Sequence, residues 1–173
     1  PEVAVTGFAL DHLAFAALVD AKGSLRWMHR FHYVPLWALA LSGGAAFGGA
    51  ADDGNGFVIF YDAESGEKRW ETKLSGLRDS KRPRESRNGF SHFATAVADR
   101  NGDGFDEIAL TTEAGEVYLL DGATGAIEWR AWIREEGTTV SGGGGPIVYV
   151  PETESIPAYL VASEREDSAV TTT

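Results

Sequence analysis

Apolar residues along this chain gather in short runs. Phe57–Tyr61, Phe93–Ala98, Ile108–Thr112, Glu116–Leu120, Pro146–Val150 and Ala158–Ser163 are such runs, bordered mostly by Gly, Asp, Asn, Ser or Pro. Runs of this length, with turn-forming borders and many β-branched and aromatic residues, predict strands. Pro1–Thr6 aligns with Asp106–Thr111, each an acid followed by an apolar strand. No run approaches the roughly 20 residues that span a bilayer. The longest, Val34–Ala51, is broken by Pro35 and several Gly.

Three segments between the runs repeat one pattern. Val19–Trp27, Tyr61–Trp70 and Leu120–Trp129 each read apolar residue, Asp, short turn, Gly, polar pair, Trp. Asp can accept from the backbone two residues on, and Gly supplies the positive φ of a tight hairpin. The Trp then falls on the returning strand, where a large ring can pack between neighbouring sheets. The first copy is one residue shorter, so its turn type should differ.

Trp27, Trp70 and Trp129 are 43 and 59 residues apart. The excess in the second interval matches the polar stretch from Ser75 to Phe90, whose removal restores the period. A strand-rich period in the forties predicts an all-β fold of β-propeller blades, each of four antiparallel strands. The predicted division is a partial blade at 1–36, a blade at 37–76, an inserted basic loop at 77–90, a blade at 91–136 and a partial blade at 137–173. A closed ring takes about 4–8 blades, so the expectation is a segment of a larger propeller. The first residues lack the basic head and cleavage site of a signal peptide, and numbering is expected to start inside a longer precursor.

Composition narrows the function classes. Hydrophobic residues make up 43%, charged residues 24%, and the formal net charge is −11. Such a surface repels nucleic-acid backbones and suits cations. The absence of cysteine excludes disulfides, thiolate zinc sites and cysteine nucleophiles.

The most specific motif is Asp99-Arg100-Asn101-Gly102-Asp103-Gly104-Phe105-Asp106-Glu107. Oxygen-bearing side chains stand at positions 1, 3, 5 and 9, and Gly104 allows the sharp turn at position 6. Calcium takes six to eight hard oxygen ligands, and this spacing wraps them round one point. Asp99, Asn101, Asp103 and Glu107 are the expected side-chain ligands for Ca2+, with the Phe105 carbonyl assisting. An EF-hand needs flanking helices and Glu at position 12. Position 12 is Leu110 and both flanks are strand-like, so a strand–loop–strand site is expected. The related stretch Val150–Ala158 lacks acids at positions 1 and 9 and is not expected to bind. In the second blade the equivalent turn is only Ser42-Gly43-Gly44.

At these residues the chain resembles two related repeat families. Asp99-x-Asn101-x-Asp103-Gly104-x-x-Glu107 after an apolar strand is similar to the FG-GAP repeat of integrin α-type propellers, although Ser91-His92-Phe93-Ala94 replaces the name motif. Asp121-Gly122-Ala123-Thr124-Gly125-Ala126-Ile127-Glu128-Trp129 resembles the pyrroloquinoline-quinone-type propeller repeat. The resemblance implies calcium bound for stability in an extracellular, cell-surface or periplasmic protein. It does not define function, because propellers host enzymes, binders and scaffolds alike.

The expected function is a structural or protein-interaction module. The alternative is part of a propeller enzyme, quinone-dependent or polysaccharide-active, or a carbohydrate-binding module in which Trp37 and Trp132 would stack on sugar. A quinone-dependent enzyme would need a full ring, a catalytic Asp and often vicinal cysteines. His12, His29, His32 and His92 are expected at the surface or in satisfied positions, since i and i+3 point to opposite faces of a strand. Gly142–Gly145 lacks the Lys-Ser/Thr of a phosphate loop and is expected to be a flexible connection. The insertion carries Arg78, Lys81, Arg82, Arg84 and Arg87 against Asp79 and Glu85. It is the expected docking surface for an acidic protein partner or another copy of the chain. Without interleaved aromatics, it is not a nucleic-acid site.

Overall fold

A computed structural model describes residues 3–8, 14–31, 34–51, 55–74, 91–112, 116–132, 142–153 and 159–166. All regular structure in them is β. The strands are β1 (Val3–Phe8), β2 (Ala14–Val19), β3 (Leu25–Phe31), β4 (Val34–Leu41), β5 (Gly44–Ala50), β6 (Gly56–Asp62) and β7 (Lys68–Leu74). They continue with β8 (Ser91–Val97), β9 (Glu107–Thr112), β10 (Glu116–Leu120), β11 (Ile127–Trp132), β12 (Gly142–Val150) and β13 (Tyr159–Glu166). Four antiparallel sheets follow in chain order: β1–β2–β3, β4–β5–β6–β7, β8–β9–β10–β11 and β12–β13. Successive first strands β4, β8 and β12 adjoin one another, as propeller blades do about an axis. Gly142–Gly145 lies within β12, where Gly142, Gly143 and Gly144 pair with Glu166, Arg165 and Glu164; it is strand, not a flexible connection.

The core lies between the sheets, because each has apolar residues on both faces. Ala16, Leu18 and Phe31 of the first sheet meet Phe47, Phe57, Ile59 and Tyr61 of the second. Val58, Phe60, Trp70 and Leu74 of the second meet Ile108, Leu110, Tyr118 and Leu120 of the third. Val97, Ala109, Val117 and Leu119 meet Ile147 of β12. A fully buried side chain of this size contributes about 1.5–3 kcal/mol, so apolar burial outweighs any single hydrogen bond between sheets.

Hydrogen bonds set the register of this packing. The Trp70 indole N–H donates to the Gly122 carbonyl of the next sheet at 2.9 Å, and the Thr72 hydroxyl donates to the Gly125 carbonyl at 2.6 Å. The preceding junction repeats the arrangement. Trp27 Nε1 donates to the Ala63 carbonyl at 3.3 Å and His29 Nε2 to the Gly66 carbonyl at 2.8 Å. Gly66 and Gly125 have φ of 70° and 73°. A Cβ at either would lie 2.8 or 2.4 Å from the facing indole, so glycine meets both the turn and the close approach. As its length predicts, the first hairpin differs: Gly23 N–H donates to the carbonyl three residues back, whereas Gly66 and Gly125 reach four back.

Each Trp hairpin also carries a bulge. Pairing skips Arg26, Arg69 and Glu128, each just before its Trp. The extra residue turns the indole onto the face that meets the next sheet.

One buried polar group stands out. Glu116 is fully buried, with Oε2 accepting from the Tyr118 hydroxyl at 2.7 Å and Oε1 without a partner. Burial and the adjoining carboxylate push the Tyr118 pKa up. Tyr118→Phe would strip the carboxylate of this donor, with an expected cost of roughly 1–3 kcal/mol in urea unfolding.

Gly125→Ala and Gly102→Ala separate conformation from contact. Both residues have positive φ, but a Cβ at Gly102 meets nothing within 4 Å. Gly102→Ala should cost about 1–2 kcal/mol from backbone strain alone. Gly125→Ala should add about 1–3 kcal/mol for the collision with Trp70. Equal urea midpoints for the two variants would contradict the packing described for Trp70.

Candidate metal centre at the β8–β9 loop

The loop between β8 and β9 is built by its own side chains. Asp99 Oδ1 accepts the N–H groups of Gly102 at 2.7 Å and Asp103 at 3.2 Å, and Oδ2 accepts that of Gly104 at 2.8 Å. Asn101 Oδ1 accepts the Asp103 N–H at 3.0 Å, and Asp103 Oδ1 accepts the Phe105 N–H at 2.9 Å. These are Asx turns in series, which explains why Asp and Asn alternate with Gly here. The Gly104, Gly102 and Asp103 amides hold the Asp99 carboxyl below its ordinary value.

Asp99, Asn101 and Asp103 thus share one exposed turn. Glu107 opens β9 fully buried, and its carboxylate accepts the Arg100 N–H at 3.0 and 3.3 Å. Burial raises the Glu107 pKa, and the charges of Glu128 and Asp99 add to the rise. The Arg100 guanidinium lies 3.6 Å from Glu128, an exposed pair of small energetic weight. Among the described residues, no three His, Cys, Asp or Glu side chains stand in metal-holding geometry.

A further oxygen comes from the next hairpin. Asn101 Nδ2 donates to both Asp103 Oδ2 and Asp121 Oδ2, at 3.1 Å each. Two carboxylates thereby converge on one neutral amide. An all-oxygen donor set of this kind suits a hard cation, and a half-turn of the Asn101 amide would present a third oxygen to the same point. Sequence spacing did not reveal Asp121, which lies 20 residues on. Its repeated place at the head of each hairpin was the available signal.

Phe105 and Asp106 face the preceding sheet. The Phe105 ring meets Phe60 edge-on, with centroids 6.2 Å apart, and lies against Gly43. The Arg69 guanidinium sits 5.0 Å from the Phe105 ring centre and also bonds Asp62, with Nε–Oδ2 at 3.0 Å. Asp106 Oδ2 accepts the Ser42 N–H at 3.1 Å. On its own side the loop is so close to the hairpin that a Gly122 Cβ would lie 2.1 Å from the Asp106 carbonyl oxygen. The loop is therefore a clasp between two blades.

Other candidates resolve differently. Trp37 is buried, with its ring over Gly48, and cannot stack on sugar. His29 is a satisfied residue, stacked on Tyr61 at 4.3 Å and bonded to Gly66. His12, His32 and the basic residues Arg78, Lys81, Arg82, Arg84 and Arg87 lie outside the described residues, as do the side chains of His92 and Trp132.

No protein-family model matches the chain, and no curated protein matches it. Solved structures do. BBS1N in complex with ARL6DN superposes with a TM-score of 0.56 at 11% identity, over 96% of this chain and 51% of that one. Saccharomyces cerevisiae Sqt1 gives 0.55 at 11% identity, over 86% and 38%. Quinohemoprotein alcohol dehydrogenase ADHIIG from Pseudomonas putida HK5, a PQQ-like propeller, gives 0.52 at 16% identity, over 93% and 30%. The chain spans about a third to a half of these structures' lengths. At such identities the likeness concerns fold alone, and the fold is that of β-propeller blades.

The carboxyl shifts predict an acid profile of two opposite limbs. Glu107 lies above its ordinary 4.5, so the folded state binds its proton first and stability rises as pH falls through the raised value. Asp99 lies below its ordinary 3.8, so its contribution is present above 3.8 and is lost as pH falls through the lowered value. Glu107→Gln should abolish the rise and Asp99→Asn should shallow the fall. Urea midpoints measured from pH 7 to pH 3 check both.

Proposed function

We propose that the chain is a calcium-stabilised propeller module that serves structure and protein interaction outside the cytoplasm, at the cell surface or in the periplasm. One observation carries this: the loop with the calcium-type spacing is also the clasp between the second and third sheets, through Phe105 and Asp106. A cation there would act on the blade junction. Asp99, Asn101 and Asp103 would hold it, with the Phe105 carbonyl and Glu107 as expected from the spacing and Asp121 contributing from the hairpin. The ion would neutralise the convergence of Asp103 and Asp121 on Asn101 and lock the turn that aims Phe105 at Phe60. The FG-GAP likeness of residues 99–107 supports the same role. Millimolar extracellular calcium would suffice for an exposed loop of this type.

Binding to the folded chain alone raises stability by mass action. At about 100 times the dissociation constant, calcium should add about 2.7 kcal/mol to unfolding, seen as a higher melting midpoint that chelator reverses. Asp103→Ala should remove the shift. A midpoint indifferent to about 5 mM calcium, well above the range of extracellular modules, would refute the proposal.

A further inference from the structure

Each Trp hairpin opens on an aspartate and uses one carboxylate oxygen for its own turn. Asp20 Oδ1 accepts the Lys22 and Ser24 N–H groups at 2.8 and 2.9 Å. Asp62 Oδ1 accepts those of Glu64 and Ser65 at 2.9 Å each, and Asp121 Oδ1 that of Thr124 at 2.8 Å. What the second oxygen meets differs between sheets. Asp62 Oδ2 accepts from the Arg69 guanidinium, with Nε at 3.0 Å and a closer bond from Nη2. Asp121 Oδ2 accepts the neutral Asn101 amide at 3.1 Å.

The guanidinium comes from the bulge. Strand pairing makes Arg26, Arg69 and Glu128 equivalent, each skipped by the ladder just before its Trp. A skipped residue leaves the regular pleat, and at Arg69 this brings a cation back to the aspartate that opened the hairpin. In the first sheet the Ser24 and Lys22 amides, and then the Arg26 charge, hold the Asp20 carboxyl below its ordinary value. In the third sheet the sign is reversed. Glu128 stands in the arginine's place and draws the loop's own guanidinium, with Arg100 Nη1 at 3.6 Å. The carboxylate that Arg69 neutralises in one blade is, in the next, joined through Asn101 to a second carboxylate, that of Asp103. The inner loops differ in step. Where Arg69 holds Asp62, the turn between β4 and β5 is only Ser42-Gly43 and offers no carboxylate.

We infer that the bulge residue decides what neutralises each hairpin aspartate: a guanidinium of the same strand in the first two sheets, and in the third a divalent cation shared with the β8–β9 loop, for which Glu128 keeps Asp121 available. Glu128 is thus a specificity-determining residue and not a ligand. The inference rests on the calcium reading of that loop. Arginine and calcium are alternatives here, because both would claim Asp121 Oδ2 and two cations at that range repel.

Glu128→Arg gives the third hairpin the arrangement of the second. Calcium titrated calorimetrically into the 173-residue chain should then bind about tenfold more weakly than to the parent, as expected for a like charge beside the ion. The calcium-induced rise in melting midpoint should shrink with it. Glu128→Gln removes the acid without supplying a guanidinium. Its affinity should stay within about threefold of the parent's, since an exposed charge acts weakly at a distance. Position 128 is exposed, so both variants should melt in chelator close to the parent. A Glu128→Arg chain that binds calcium as the parent does would overturn the inference. So would a Glu128→Gln chain weakened as much as Glu128→Arg, because loss of an acid and not capture of Asp121 would then explain the change. Both outcomes leave the calcium reading standing, whereas a parent that binds no calcium removes the two together.

Discussion

The architecture depends on one contact, made twice: a tryptophan on an outer strand seated against the glycine of the next sheet's hairpin. Trp70 needs Gly125 to lack a side chain and Gly122 to offer its carbonyl. Trp27 needs the same of Gly66 and Ala63. Apolar burial supplies most of the free energy at each junction, but it is non-directional and would tolerate sheets sliding past one another. The indole N–H has one donor direction, so it converts a greasy interface into a defined register.

The β8–β9 loop works on the same junction from the other side. It is held in shape by Asx turns from Asp99, Asn101 and Asp103, and it projects Phe105 and Asp106 into the preceding sheet. Any ligand or proton that changes the loop is therefore felt at the blade interface. Two groups titrate in opposite directions there: Asp99, stabilised as an anion by amides, and Glu107, burdened by burial. Local turn chemistry and long-range packing are thus coupled through nine residues.

Much of this was legible in the residues themselves. The Asp–Gly–Trp repeats marked the hairpins, and the missing residue in the first copy foretold its shorter turn. The alternation of Asp, Asn and Gly at 99–104 marked a tight acidic loop. Other features were not legible. Asp121 joins the loop only because the third and fourth strands of one sheet fold back beside the first two. Arg69 reaches Phe105 because a bulge displaces it from the ladder. Trp37, which looked available for sugar, is covered because Gly48 opposite it leaves room for the ring. The four glycines at 142–145 looked flexible by composition, yet all four lie in β12, the first three paired with β13.

Residue pattern alone marked most of the strands, the hairpins, the repeat and the oxygen-rich loop, because each is set by interactions over a few residues: alternation, Asx turns and glycine's positive φ. Which side chains meet is a matter of long-range packing. That depends on the spacing and stagger of neighbouring sheets, which places Gly125 under Trp70, Asp121 beside Asn101 and Phe105 against Phe60. Those pairs are far apart along the chain, and their proximity follows from the packing of whole sheets, which short-range pattern does not encode.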